Sequence, residues 1–243
     1  MNITAMGKKL KLPYVTHHGK EFLDEAIHTN MGHEEFLATY LERELELRTN
    51  NGIKRRLRLA KFPVKKYLEN FDKSKYGSDL RAKFKSLETL DFIDKKENII
   101  LIGTPGSGKT HYATALTIKA ILEGRSALFV SVSNLIIQIK ENLSRHQFNA
   151  YKRKFEKYDI VVLDELGFIS FDKSGAEILF NLLSSRNDKG SIVITSNLSF
   201  DQWGDVFNDT VLTGALVDRL IHKAHILDIS RETSHRFEET IEW

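Results

Sequence analysis

The sequence predicts an α/β fold: a parallel β-sheet with helices on both faces, preceded by a small all-helical unit. Three observations carry this. Beyond Glu97, five short apolar runs rich in β-formers alternate with helical patterns: NIILIG (98–103), SALFV (126–130), YDIVVLDE (158–165), SIVITSN (191–197) and AHILDI (224–229). Nearly continuous apolar strands mark a sheet buried on both faces, and the alternation marks parallel crossovers. The first run leads directly into a glycine-rich octet and a helix-forming stretch, HYATALTIKAILEG. Ahead of the sheet, apolar residues recur at spacings of three and four, the period of a helix. The division falls between a helical unit, residues 1–67, and an α/β core, residues 68–243.

At 243 residues and 41% hydrophobic, the chain can bury one sizeable core and a smaller appended unit. It has no cysteine, which excludes a disulfide scaffold and thiolate metal or redox chemistry, and fits a cytoplasmic home. No apolar run approaches the roughly 20 residues of a membrane helix. The N-terminus, MNITAMGKKLKLPY, lacks the continuous apolar segment of a signal peptide, so no membrane partner is expected. Net charge is only +3, but it is uneven: residues 1–97 sum to +5 and residues 98–243 to −2, and residues 48–85 carry 13 Lys and Arg against 3 Asp and Glu. Such asymmetry favours association with a polyanion, although a solvated charged face is the plainer reading.

Along the chain, Phe36, Leu37, Tyr40, Leu41 and Leu45 place an amphipathic helix over 33–48. Thr49-Asn50-Asn51-Gly52 is expected to interrupt it. From Ile53 a second helix carries Leu57 and Ala60 on a narrow apolar face, with Lys54, Arg58 and Lys61 on the adjacent one, until Pro63 stops it. Residues 68–97, with Leu87, Leu90, Phe92 and Ile93, lead into the core.

The glycine-rich octet Gly103-Thr104-Pro105-Gly106-Ser107-Gly108-Lys109-Thr110 matches G-x-x-x-x-G-K-[ST] between a strand and a helix, the context that the motif requires. Glycines let backbone N–H groups close on phosphate, and the helix N-terminus adds positive potential. Lys109 pairs with β and γ phosphates, and Thr110 presents its hydroxyl to Mg²⁺. With His111 at the helix start, these residues form the expected ATP-binding set. About fifty residues on, Ile160-Val161-Val162-Leu163-Asp164-Glu165 is an apolar strand ending in two acids. Asp164 would hold Mg²⁺ through water and Glu165 would polarise the attacking water, which favours hydrolysis over transfer to a small molecule. SIVITSN then brings Thr195, Ser196 and Asn197 to the end of another strand. Asn197 is the best placed of the three to reach the γ-phosphate or the water, and reads equally as an Asx turn ending the strand.

Taken together, EEFLATYLERELELR (34–48), LAKFP (59–63), GTPGSGKTHYA (103–113), YDIVVLDELGF (158–168), ITSNLSFDQWGDVF (194–207) and LTGALVDRLIHKAHILDI (212–229) resemble the IstB-like AAA+ ATPases of bacterial insertion sequences, relatives of the replicative-helicase loader. The resemblance implies an AAA+ P-loop core with sheet order 5-1-4-3-2 and no lid domain. It implies ATP and Mg²⁺ at subunit interfaces, an ATP-dependent homo-oligomer on double-stranded DNA, and recruitment or stimulation of a cognate transposase. By the same resemblance Lys109 and Thr110 belong to Walker A, Asp164 and Glu165 to Walker B, and Asn197 is sensor one. Arg219, in VDRLIH, is the arginine finger of a neighbour's site. Arg236, in SHRF, is a second sensor, with His235 where the family pattern has tyrosine. The resemblance also suggests that KENLSRHQFNAYKRKFEKY, with Lys140, Arg145, Lys152, Arg153 and Lys154, faces a DNA path.

A replicative-helicase loader is the alternative reading, and a small-molecule P-loop kinase is a third that the Asp164–Glu165 pair and Arg219 oppose. KRRLRLAKFPVKKY (54–67) carries seven positive charges in fourteen positions, and Lys54, Arg55, Arg58, Lys61, Lys65 and Lys66 are the expected contacts to the DNA backbone.

Overall fold

The computed structural model describes residues 2–168 and 173–230. The chain forms two compact units, Met1–Arg56 and Leu57–Trp243. They divide inside a helix, upstream of the boundary expected after residue 67.

The first unit contains α1 (Ile3–Leu10), α2 (Pro13–His28) and most of α3 (His33–Ala60). Asn2 opens α1, its side chain accepting the Thr4 N–H at 3.0 Å. Pro13 is the first residue of α2, where its missing N–H costs nothing. A Cβ on Gly7 would lie 2.8 Å from Val15 Cγ1, so α1 and α2 approach closely. The buried Glu44 of α3 accepts the Tyr14 N–H at 2.8 Å, satisfying a donor in the first turn of α2. Arg43 grips Glu25 with both nitrogens, at 2.8 and 2.9 Å, and this bond holds the Glu25 carboxyl below its ordinary value.

Two expectations change here. Helix α3 runs through Thr49-Asn50-Asn51-Gly52 without a break. None of these residues is proline, so no backbone donor is missing, and Thr49 Oγ1 bonds back to Leu45 O at 2.9 Å. Asn and Gly each cost about 0.7–1 kcal/mol in a helix, less than the flanking turns sustain. The apolar stripe is also only partly used: Phe36 stacks on Phe22 at 5.0 Å, whereas Leu37, Leu41 and Leu45 are exposed. The helix stops at Ala60, Lys61 taking a left-handed φ of 62° just ahead of Pro63.

The second unit opens with α4 (Ser78–Leu87) and α5 (Asp91–Asp94), then alternates β1 (Asn98–Ile102), α6 (Lys109–Leu122), β2 (Ala127–Ser131), α7 (Val132–Ser144), α8 (Phe148–Glu156), β3 (Ile160–Leu166), α9 (Lys173–Ser184), β4 (Ser191–Ser196), α10 (Trp203–Phe207), α11 (Thr210–Ile221) and β5 (Ala224–Asp228). All pairings are parallel, in the order β2-β3-β4-β1-β5. This is the 5-1-4-3-2 sheet of the AAA+ P-loop fold.

Ile99, Ile100, Leu101, Val161, Val162, Val193 and Ile194 are all fully buried, which is why these strands read as unbroken apolar runs. Trp203 is fully buried as well, 5.1 Å from Phe200, a packing residue. Because every strand runs the same way, the loop after β1 and the ends of β3 and β4 meet along one edge of the sheet, where ligands of such folds bind.

Candidate active site

Between β1 and α6 the chain turns on Gly106 and Gly108, at φ of 85° and 92°, a region that only glycine enters freely. Gly103 tolerates no side chain, since a Cβ there would lie 2.7 Å from Ser107 Oγ. Gly103 also donates its N–H to Ser196 O at 3.1 Å, anchoring the loop to β4. Lys109 is buried, and its ammonium group donates to Gly103 O at 2.6 Å, Thr104 O at 2.7 Å and Ser107 Oγ at 3.4 Å. The loop thus folds around its own lysine, whose charge is solvated by carbonyl dipoles. Thr104 and Pro105 are exposed at its crest.

The support beneath comes from residues that no motif marks. Tyr76, nearly fully buried, donates its hydroxyl to Ser107 O at 2.8 Å, and Phe71 stacks on Tyr76 at 5.3 Å. Phe71 also lies 5.2 Å from Tyr112 and 5.4 Å from His111, whose Nε2 is 3.4 Å from Tyr67 O. The lead-in to the core is thus an aromatic brace for the phosphate loop. Burial, and then Glu88, push the Tyr112 hydroxyl far above its ordinary pKa, so this ring stays neutral. The only trace in the sequence is the aromatic density of residues 67–84, whose partners lie some thirty positions away.

At the end of β3, Asp164 is buried and Glu165 exposed. Thr110 Oγ1 donates to Asp164 Oδ1 at 2.8 Å, joining the loop to the acid strand. With its proton committed to Asp164, the Thr110 hydroxyl keeps its lone pairs for a cation. A hydroxyl and a carboxylate side by side form a hard oxygen set that fits Mg²⁺, which takes few protein ligands and fills its shell with phosphate and water. Asn197 follows β4 half-buried, its Oδ1 enclosed without a hydrogen-bond partner among the described residues and 3.4 Å from where a Gly167 Cβ would stand. An orphaned amide oxygen lacks a donor, which a water molecule supplies.

Gly103 to His111, Asp164, Glu165 and Asn197 therefore converge on one sheet edge. Arg219 does not join them. It lies in the last turn of α11, exposed, 4.8 Å over the Phe180 ring. It shares a cavity with Asn98, the first residue of β1, whereas the phosphate loop follows the last. The five-residue strand separates them by about 16 Å. Arg236 lies outside the described residues. Lys54 and Arg55 in the first unit, and Arg58, Lys61, Lys65 and Lys66 in the second, are exposed.

A family model described as IstB-like ATP binding protein matches residues 5–242. The ATP-binding protein of insertion sequence IS21 from Pseudomonas aeruginosa is 34% identical over 231 residues, covering 95% of this chain and 87% of that one. Its counterpart in insertion sequence IS5376 of Geobacillus stearothermophilus is 32% identical, covering 95% and 92%. Among solved structures, DnaI superimposes with a TM-score of 0.57 at 21% identity over 70% of this chain and 90% of its own, a likeness of fold.

Proposed function

The chain belongs to the IstB-like ATP-binding protein family, and from that premise we propose that it is an ATP-hydrolysing switch that assembles on double-stranded DNA and recruits or stimulates a transposase during transposition of an insertion sequence. The observation that carries the reading is the hydrogen-bonded join of Thr110 to Asp164, with Glu165 beside it: a phosphate loop, a metal-ligand pair and a second acid on one edge. Lys109 would exchange its loop carbonyls for β and γ phosphate oxygens, Thr110 and Asp164 would hold Mg²⁺, and Glu165 would orient and deprotonate water, with Asn197 as its second contact. Bound Mg²⁺ supplies neutralisation of phosphate charge. His111 closes the nucleotide set, and Arg236 is retained in it as the second sensor.

Arg219, too far from its own phosphate loop to serve it, is proposed as the finger of a neighbouring subunit, which makes hydrolysis a property of the homo-oligomer. Lys54, Arg55, Arg58, Lys61, Lys65 and Lys66 are proposed as contacts to the DNA backbone. Lys140, Arg145, Arg153 and Lys154, exposed on and between α7 and α8, form a second basic surface. Among the described residues no helix is long and apolar enough to cross a membrane. A switch that acts on DNA is assigned to the cytoplasm. The relatives matched over nearly the whole chain belong to insertion sequences, whereas the likeness to DnaI is one of fold, so the helicase-loader reading is not favoured.

The test is ATPase rate and particle mass with and without duplex DNA at two salt concentrations. Both quantities should rise with DNA, and DNA affinity should fall with salt at a slope of about −0.9 per phosphate contacted. Absence of any DNA response at low salt would refute the proposal.

A further inference from the structure

We infer that Thr195 is the positioning residue of the acid pair, holding Asp164 and the backbone of Glu165 in the arrangement that metal binding and water activation require. This rests on the reading of the site as a centre of ATP hydrolysis. It begins with the register of the sheet. Leu163 pairs with Ile194 and Leu166 with Ser196, so two residues of β3, Asp164 and Glu165, stand opposite one residue of β4, Thr195. Such a bulge leaves the extra residue outside the ladder and re-aims the chain. Glu165 takes a φ of 63°, a left-handed conformation uncommon for a non-glycine residue and here set inside a strand. Its N–H donates at 2.9 Å to Thr195 Oγ1. The same hydroxyl donates to Asp164 Oδ1 at 2.6 Å.

The proton count fixes the direction of both bonds. A backbone N–H only donates and an ionised carboxylate only accepts, so a hydroxyl between them serves both. Valine has the shape of threonine and neither capacity, whereas serine has both. Thr110 Oγ1 donates to the same Asp164 oxygen, so the carboxylate is held by one hydroxyl from the phosphate loop and one from β4. Without Thr195, Asp164 keeps, among the described residues, the Thr110 hydroxyl at the start of α6, and the bend that separates buried Asp164 from exposed Glu165 loses its acceptor. Asn197 stands at the strand end, but Thr195 sets the acids.

Thr195→Val and Thr195→Ser are to be compared with the native chain by three readouts. NMR hydrogen exchange in the nucleotide-free protein should show the Glu165 amide protected in the native and serine chains and exposed in the valine chain. The Mg²⁺ concentration that half-saturates binding of a non-hydrolysable ATP analogue should rise about tenfold in Thr195→Val, and kcat should fall about 10–100-fold with KM nearly unchanged, serine restoring both. Thr195→Ala repeats the three readouts if the valine chain does not fold. Native exchange at Glu165 together with a native Mg²⁺ response in the valine or alanine chain would overturn the inference. A native chain that binds the analogue and never hydrolyses ATP would instead overturn the hydrolysis reading, and the exchange and Mg²⁺ readouts, which need no turnover, would still decide the role of Thr195.

Discussion

The phenol of Tyr76 donates a 2.8 Å hydrogen bond to the carbonyl oxygen of Ser107, within the phosphate loop but thirty-one residues further along the chain. Tyr76→Phe keeps the ring stack with Phe71 and deprives a buried carbonyl of this donor, at a cost of about 1–2 kcal/mol. Nucleotide affinity is expected to fall about tenfold, since the loop must be re-ordered on binding. Titration with a fluorescent ATP analogue measures this, and an unchanged Kd would show that Tyr76 only packs.

Gly108→Ala should be far harsher. The position has a φ of 92°, and the new methyl would stand 2.5 Å from the Tyr76 hydroxyl. Circular dichroism should report a folded chain and isothermal titration no detectable ATP binding.

Arg186 tests the opposite edge of the sheet. It is fully buried and donates to the carbonyls of Phe155, Tyr158 and Ser191, while burial lowers its guanidinium pKa to about 10. Arg186→Met strips three enclosed carbonyls of their donor and should destabilise the protein by about 3 kcal/mol, read from the urea midpoint. A shift below about 1 kcal/mol would mean that water replaces the guanidinium without difficulty.

Asp159 gives a pH dependence. Burial alone would raise its pKa, but bonds from the Ser126 N–H and hydroxyl, both 2.7 Å, and the charges of Arg125 and Lys96 bring it below the ordinary value. A lowered folded pKa contributes stability above the unfolded value of about 3.9, lost as pH falls through the folded one. Asp159→Asn should therefore cost about 1 kcal/mol at pH 7 and progressively less below about pH 4. Parallel urea melts at pH 7 and pH 3 check the sign.

Mixing separates the roles of Arg219 and Glu165. Arg219→Ala and Glu165→Gln should each be inactive alone, a finger in trans being worth about 10³-fold or more. Combined, the first chain's intact acid site meets the second chain's intact arginine, and part of the activity should return. Mixtures that stay inactive would place Arg219 outside the reaction.

Much of this could be read in the sequence because it is local. The phosphate loop is defined by the spacing of Gly103, Gly108, Lys109 and Thr110, and the strands by apolar runs that burial on two faces demands. What escaped is non-local or weakly encoded. Nothing around Thr195 announces that Asp164 and Glu165 bulge against it, because a bulge belongs to the register between two strands. Tyr76 has no periodicity pointing to Ser107. Thr49-Asn50-Asn51-Gly52 looked like a break because propensities rank residues without weighing the turns on either side.

Phosphate loop and Arg219 at opposite edges also make every subunit unlike at its two ends. A contact that joins one end to the other is heterologous, and it can continue without closing. In an open row, one terminal subunit keeps an acid site that no finger reaches, so specific activity climbs with row length and levels off, the pair reaching half of the plateau. A closed ring has no such end and would switch on in one step. Activity plotted against particle mass would tell an open row from a closed ring in the proposed homo-oligomer.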